Sequence, residues 1–171
     1  NAINALLKIL EEPSKNVYFI LINNNKKVLA TLKSRCLDFK IFLDNKESQS
    51  ICKKILGKDF SDQINNELLD YYSTPGKILN LIEFSESNSI DLKDMKLGDF
   101  LTLVIDKSYY KKDSQIKFFI YDFFELFLTR KFSSKHLDFR EYFLKQMNNI
   151  KKFNLDEESL FIEFRNKLLN G

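Results

Sequence analysis

Between positions 2 and 11 the apolar residues Ile3, Leu6, Leu7 and Leu10 recur at three- and four-residue spacing, one face of a helix, and Pro13 closes the pattern. A continuous run of β-branched and aromatic residues, "NVYFILI", follows and ends in asparagines, which predicts a short buried strand. Helical spacing resumes over 27–32, and "LDFKIF" then alternates well enough for a second strand. The stretch to residue 42 thus reads helix, strand, helix, strand, the closing part of an α/β domain.

From Asp44 the pattern is helical throughout. "SQSICKKILG" sets Ile51, Cys52, Ile55 and Leu56 on one face and stops at Gly57, while "DQINNELLDYY" and "PGKILNLIEF" predict two further short helices. Pro75 suits the first turn of the last of these, where its missing N–H leaves nothing unpaired. Beyond the polar stretch "SESNSIDLKD" the helices lengthen. One is expected through "LGDFLTLVIDKSYY" and another through "SQIKFFIYDFFELFLTRKF", where Ile116, Phe119, Ile120, Phe123, Phe124 and Phe127 make a wide apolar stripe suited to packing. "HLDFREYFLKQMNNI" and "DEESLFIEFRNKLL" repeat the theme, the last with Asp156 as its expected N-cap. The fold class is therefore mostly α. A short α/β portion over 1–42 precedes a three-helix unit over 43–97 and a domain of four or more helices over 98–171.

Composition supports this picture. Among 171 residues there are 17 Phe but only 4 Gly and 2 Pro, which favours aromatic-filled helical interiors over turn-rich β folds. Lys and Arg exceed Asp and Glu by three, 27 against 24, with both signs mixed along the length, so a dedicated nucleic-acid stripe is not indicated. The most apolar run, "FFIYDFFELFL", is interrupted by Asp122 and Glu125 and falls short of the roughly 20 residues of a membrane span. With no basic leader and cleavage site before "NAINALLKIL", and no initiator Met, the chain reads as a fragment of a cytoplasmic protein. Cys36 and Cys52 form no CxxC pair and read as reduced thiols rather than as zinc ligands. His136, the sole histidine, lies in "SSKHLDF" and reads as a surface residue at a helix start rather than as a catalytic base.

No GxxxxGK[ST] loop and no acidic strand end for magnesium occur in this sequence, so self-contained ATP hydrolysis is not expected of it. The order of the first elements is nevertheless specific. "NALLKILEEPSKNVYFILINN", followed by "VLATLKSRC", resembles the stretch after the Walker B strand in the bacterial DNA polymerase III clamp-loader ATPases of the AAA+ class. There a helix ending in Leu-Glu-Glu-Pro leads to the sensor 1 strand and then to Ser-Arg-Cys. The resemblance is close over 1–42 and continues beyond it in layout.

The resemblance implies that 1–42 is the end of an AAA+ core, 43–97 a three-helix lid and 98–171 a helical collar for oligomerisation. Ser34, Arg35 and Cys36 fall on Ser-Arg-Cys, and Asn23 falls on the sensor 1 position. Arg35 is then an arginine finger acting in trans, with ATP and Mg held by the neighbouring subunit and no cofactor held here. An arginine suits that role because its planar, permanently charged fork meets phosphate oxygens with two parallel hydrogen bonds. Without a phosphate loop, Asn23 is expected to be a relic. In the ATP-hydrolysing gamma/tau branch the third lid helix carries a sensor 2 arginine; "STPGKIL" puts Gly76 there instead, as in the delta-prime branch. The implied function is that of a non-ATPase clamp-loader subunit, a component of a nucleotidyltransferase holoenzyme. Its implied partners are the gamma/tau and delta subunits and, through the complex, the sliding clamp and primed DNA. The alternatives are a gamma/tau-type motor and a structural helical adaptor or nucleic-acid-binding module in which Arg35 is one surface cation among many.

Overall fold

A computed structural model describes residues 7–10, 14–23, 28–70, 73–132 and 137–169. Contacts divide the chain into two compact units, Asn1–Phe42 and Leu43–Gly171.

In the first unit, residues 7–10 are helical, and the rest of the helix expected over 2–11, with Glu11, Glu12 and Pro13, lies outside the described residues. Both expected strands are corrected. Residues 17–23 and 37–43 carry no strand pairing, because a strand is defined by a partner's ladder and neither has one among the described residues. The 17–22 stretch keeps the two-residue period of extended chain: Tyr18, Ile20 and Ile22 are about 90% exposed, whereas Val17, Phe19 and Leu21 are exposed only half as much. Between the two stretches lies one helical turn, α1 (Ala30–Lys33), where a helix over 27–32 was expected.

Among its described residues the regular elements of the second unit are all helices, apart from an isolated parallel bridge between Ile64 and Leu92. α2 (Asn45–Leu56) starts on a reciprocal cap, with the Glu47 N–H donating to Asp44 Oδ1 at 2.7 Å and the Asp44 N–H to Glu47 Oε2 at 2.9 Å. It stops at Gly57, whose φ of 65° is the left-handed conformation that lets its N–H close on Lys53 O at 3.0 Å. α3 (Asn66–Leu69) is shorter than "DQINNELLDYY" suggests. The Ile64–Leu92 bridge and the Asn65 N–H bond to Leu92 O draw the preceding backbone out of the helix, and Tyr71 and Tyr72 lie outside the described residues. α4 (Pro75–Asn88) has Pro75 in its first turn behind the Thr74 cap and runs four residues past the expected "PGKILNLIEF".

The single helix expected through "LGDFLTLVIDKSYY" is two. α5 (Leu97–Asp106) ends where Ser108 enters the left-handed region at φ 52°, and α6 (Tyr109–Lys112) restarts there. This break points Tyr110 into the core against Phe161, with ring centroids 4.6 Å apart, and sets Tyr109 edge-on to Phe84. α7 (Ser114–Lys131) presents the predicted stripe: Ile116, Phe119, Ile120, Phe123 and Phe124 are buried, joined by Leu128. α8 (Leu137–Phe153) buries Phe143, Met147 and Ile150. α9 (Glu158–Phe164) runs into a wider π turn over Arg165–Leu169; its N-cap is Glu157 rather than the expected Asp156, whose Oδ1 lies one residue outside and accepts the Glu158 N–H at 3.3 Å.

Rings tie these helices together. Phe84 on α4 meets Phe100 on α5, which stands edge-on to Phe123 on α7. Phe124 packs on Phe161 and Phe164 of α9 with centroids 5.2 and 3.9 Å apart, and Phe164 meets Phe143 of α8 at 5.3 Å. One buried cluster thus runs from Cys52 to Leu168, across position 97 without interruption. At its edge the Lys77 ammonium on α4 pairs with Asp122 on α7, and Glu157 accepts from the Tyr121 hydroxyl at 2.9 Å and pairs with Lys117 at 2.7 Å. Among the described residues no helix is long and apolar enough to cross a membrane.

Two consequences are measurable. Phe124 is fully buried among rings, so Phe124→Ala removes about 3–5 kcal/mol of unfolding free energy in urea titrations. At the exposed rim, the Lys53 ammonium and the Ser61 N–H hold the Asp59 carboxyl well below the usual carboxylate range. A depressed folded-state value stabilises the fold above the ordinary carboxylate value of about 4, a contribution lost as pH falls further. Asp59→Asn therefore lowers stability at neutral pH and flattens its acid dependence below pH 4, as measured by urea melts at stepped pH.

Candidate functional site

α1 is short because nothing in "ATLK" caps it: Leu29 stands at its N-cap position without a side-chain bond. Its C-terminal end is where the chemistry lies. Ser34 and Arg35 form the exposed turn that leaves the helix, and Cys36, next along, is half-buried. The Ser34 N–H closes on Ala30 O at 3.0 Å, and the Arg35 N–H closes on Leu32 O at 3.1 Å, a tighter step. The Thr31 carbonyl receives two side chains: Ser34 Oγ donates to it at 3.1 Å and Arg35 Nη1 at 2.8 Å. Nη1 also lies 3.4 Å from Ser34 Oγ. A cation on a helix C-terminal carbonyl is favoured electrostatically as well as by the bond itself. Beyond it, Lys33 and Asp38 pair at 3.7 Å across solvent, a contact of little energetic weight.

Arg35 thus stands at the surface of its unit, on a helix end. Asn23 ends the extended 17–23 stretch of the same unit and is exposed. Gly76 belongs to the second unit, as the second residue of α4 behind Pro75. A Cβ built on Gly76 meets nothing within 4 Å, so its lack of a side chain is not a steric requirement. Of the five residues singled out in the sequence, the structure joins Ser34 and Arg35 through Thr31 O. His136 lies outside the described residues. Cys52 is buried in α2, donates to Pro75 O at 3.4 Å, and has its thiol pushed up by burial, which suits an inert core thiol. The part of this site missed in the sequence is the Thr31 carbonyl, which the three- and four-residue offsets from Ser34 and Arg35 could have indicated.

A hollow in the second unit, about 380 Å³ beside the start of α5, is lined by Glu67, Gly98, Phe127 and Arg130 among others. The Glu67 carboxylate already accepts the Leu97 N–H there at 3.0 Å, filling the helix end with an internal anion.

Residues 1–45 match the family described as "DNA polymerase III, delta subunit". Over 164 residues the chain is 32% identical to the DNA polymerase III subunit delta' of Buchnera aphidicola subsp. Schizaphis graminum (strain Sg), covering 88% of this chain and 50% of that protein. These matches support a clamp-loader segment of the delta-prime type. A second delta-prime relative, from Buchnera aphidicola subsp. Baizongia pistaciae (strain Bp), is 49% identical over 49 residues, or 28% of this chain and 15% of its own. The subunit gamma of the Schizaphis graminum strain is 35% identical over 103 residues, or 55% of this chain and 28% of its own. The chain therefore spans half or less of each of these relatives. No solved structure matches it.

Since Gly76 is helical with open space around it, Gly76→Ala raises the unfolding free energy by about 0.4–1 kcal/mol through reduced freedom of the unfolded chain. The midpoint of a urea melt measures it, and an unchanged or lowered midpoint contradicts the geometry.

Proposed function

We propose that the chain serves as the later part of a non-hydrolysing subunit of the DNA polymerase III clamp loader, placing Arg35 against a nucleotide held by the subunit beside it. The observation that carries this reading is the position of Arg35: exposed, at a helix end, within a Ser-Arg-Cys turn of a segment that matches the family model. A guanidinium held there can meet the oxygens of a phosphoryl group in transfer, where charge accumulates, and stabilise it. Head-to-tail packing of like subunits gives each one a face toward the next, so a residue at the edge of one fold completes the centre of another.

In this reading residues 1–42 end the AAA+ core, 43–97 form the lid and 98–171 the collar. The partners are the gamma/tau and delta subunits, with the sliding clamp and primed DNA reached through the complex in the cytoplasm. ATP and Mg belong to the neighbour. Gly76 supports a role without hydrolysis, because glycine has no side chain to offer a nucleotide at that helix start. Asn23 acts at most on the end of its own extended stretch.

The gamma match favours a second reading, an ATP-hydrolysing subunit of gamma/tau type. ATP turnover by the isolated full-length subunit would select it over the first.

The primary test uses the full-length subunit assembled with its partners. Arg35→Ala and Arg35→Lys leave assembly intact but reduce single-turnover ATP hydrolysis at the one site they serve by about 10³-fold or more, and clamp loading falls with it. Lysine fails because an ammonium presents a point charge in place of a fork. Turnover equal to wild type in both variants overturns the finger role.

A further inference from the structure

Three groups meet at the end of α1 within hydrogen-bond reach: the Thr31 carbonyl, the Ser34 hydroxyl and Arg35 Nη1. The single proton of the Ser34 hydroxyl is committed to Thr31 O at 3.1 Å. Its lone pairs are therefore what the Arg35 Nη1, 3.4 Å away, encounters. Nη1 donates to Thr31 O at 2.8 Å, so two acceptors fixed to the same turn bear on one nitrogen of a rigid planar group. One acceptor would fix a point of that plane; two also restrain its rotation.

We infer that Ser34 is a positioning residue for Arg35: its hydroxyl, anchored on Thr31 O, sets the plane of the guanidinium before the side chain engages a phosphate. This rests on the finger role proposed above and adds the device that controls it. A long arginine side chain loses rotamer freedom when it binds, and a partner that has already restrained it reduces that loss. Ser34 acts through Arg35, so it changes how often the fork is correctly presented and leaves the neighbour's affinity for nucleotide alone.

The experiment is single-turnover ATP hydrolysis by the assembly containing the full-length subunit, combined with NMR of the Arg35 Nε–H in that subunit. Ser34→Ala lowers kcat about three- to tenfold, the share of one long hydrogen bond, with KM for ATP unchanged. Ser34→Thr, which keeps the hydroxyl, restores it. In an Arg35→Ala background Ser34→Ala adds no further loss, the signature of two residues acting as one unit. The Arg35 Nε–H order parameter falls in Ser34→Ala and recovers in Ser34→Thr. Wild-type kcat in Ser34→Ala, or an equal loss with and without Arg35, overturns the inference while leaving the finger role standing. If Arg35→Ala itself changes nothing, the finger role fails, and an unchanged order parameter then rejects the positioning role as well.

Discussion

Residues 43–171 depend on the burial of α7 by rings from other helices. Phe124 packs on both Phe161 and Phe164 of α9, and Phe123 stands edge-on to Phe100 of α5, so adjacent residues of α7 meet rings from two other helices. Large rings remove much apolar area from water, and edge-to-face contacts add a directional preference that a purely aliphatic core lacks. Four other helices of the unit join that column through rings: α9 and α8 through Phe164 and Phe143, α4 and α5 through Phe84 and Phe100. Ion pairs such as Arg130 with Asp70 and Arg165 with Asp106 lie at the periphery, partly solvated, and adjust rather than create the packing.

The first unit is ordered differently. Its apolar residues Tyr18, Ile20, Phe39 and Ile41 are exposed, and the bonds at the end of α1 that include Arg35 are local ones, spanning three or four residues. Local bonds of this kind fix the direction of a side chain without a core beneath it. That is a suitable footing for a group whose proposed chemistry lies outside its own chain, since a buried arginine could not serve a neighbour. The unit that carries the arginine and the unit that carries the core thus hold separate parts of the proposed role, reach and assembly.

Sequence pattern was most informative where a residue's environment is set by its near neighbours. The stripe on α7, the stop at Gly57 and the start of α4 at Pro75 follow from spacing and backbone chemistry, and each has its counterpart in the coordinates. Strand pairing was the reverse case, because "NVYFILI" and "LDFKIF" have β composition but a ladder requires a partner that composition does not specify. The break at Ser108 was also hidden: a non-glycine residue with positive φ gives little signal, and the gain that offsets it, burial of Tyr110 against Phe161, is made by residues fifty positions away. For the site, periodicity identifies Arg35 only as a surface cation. Its chemical meaning comes from the Ser-Arg-Cys resemblance, and its immediate partners from the helix end on which it sits.

The most direct measurement is a cryo-electron microscopy reconstruction of the full-length subunit assembled with its neighbours and trapped with ADP and a metal fluoride. A finger in trans requires the Arg35 guanidinium within about 3 Å of the fluoride group on the adjacent subunit, with the turn at Ser34 intact beneath it. Finding Arg35 directed away from every neighbouring nucleotide, or covered by a partner surface that holds none, would contradict it.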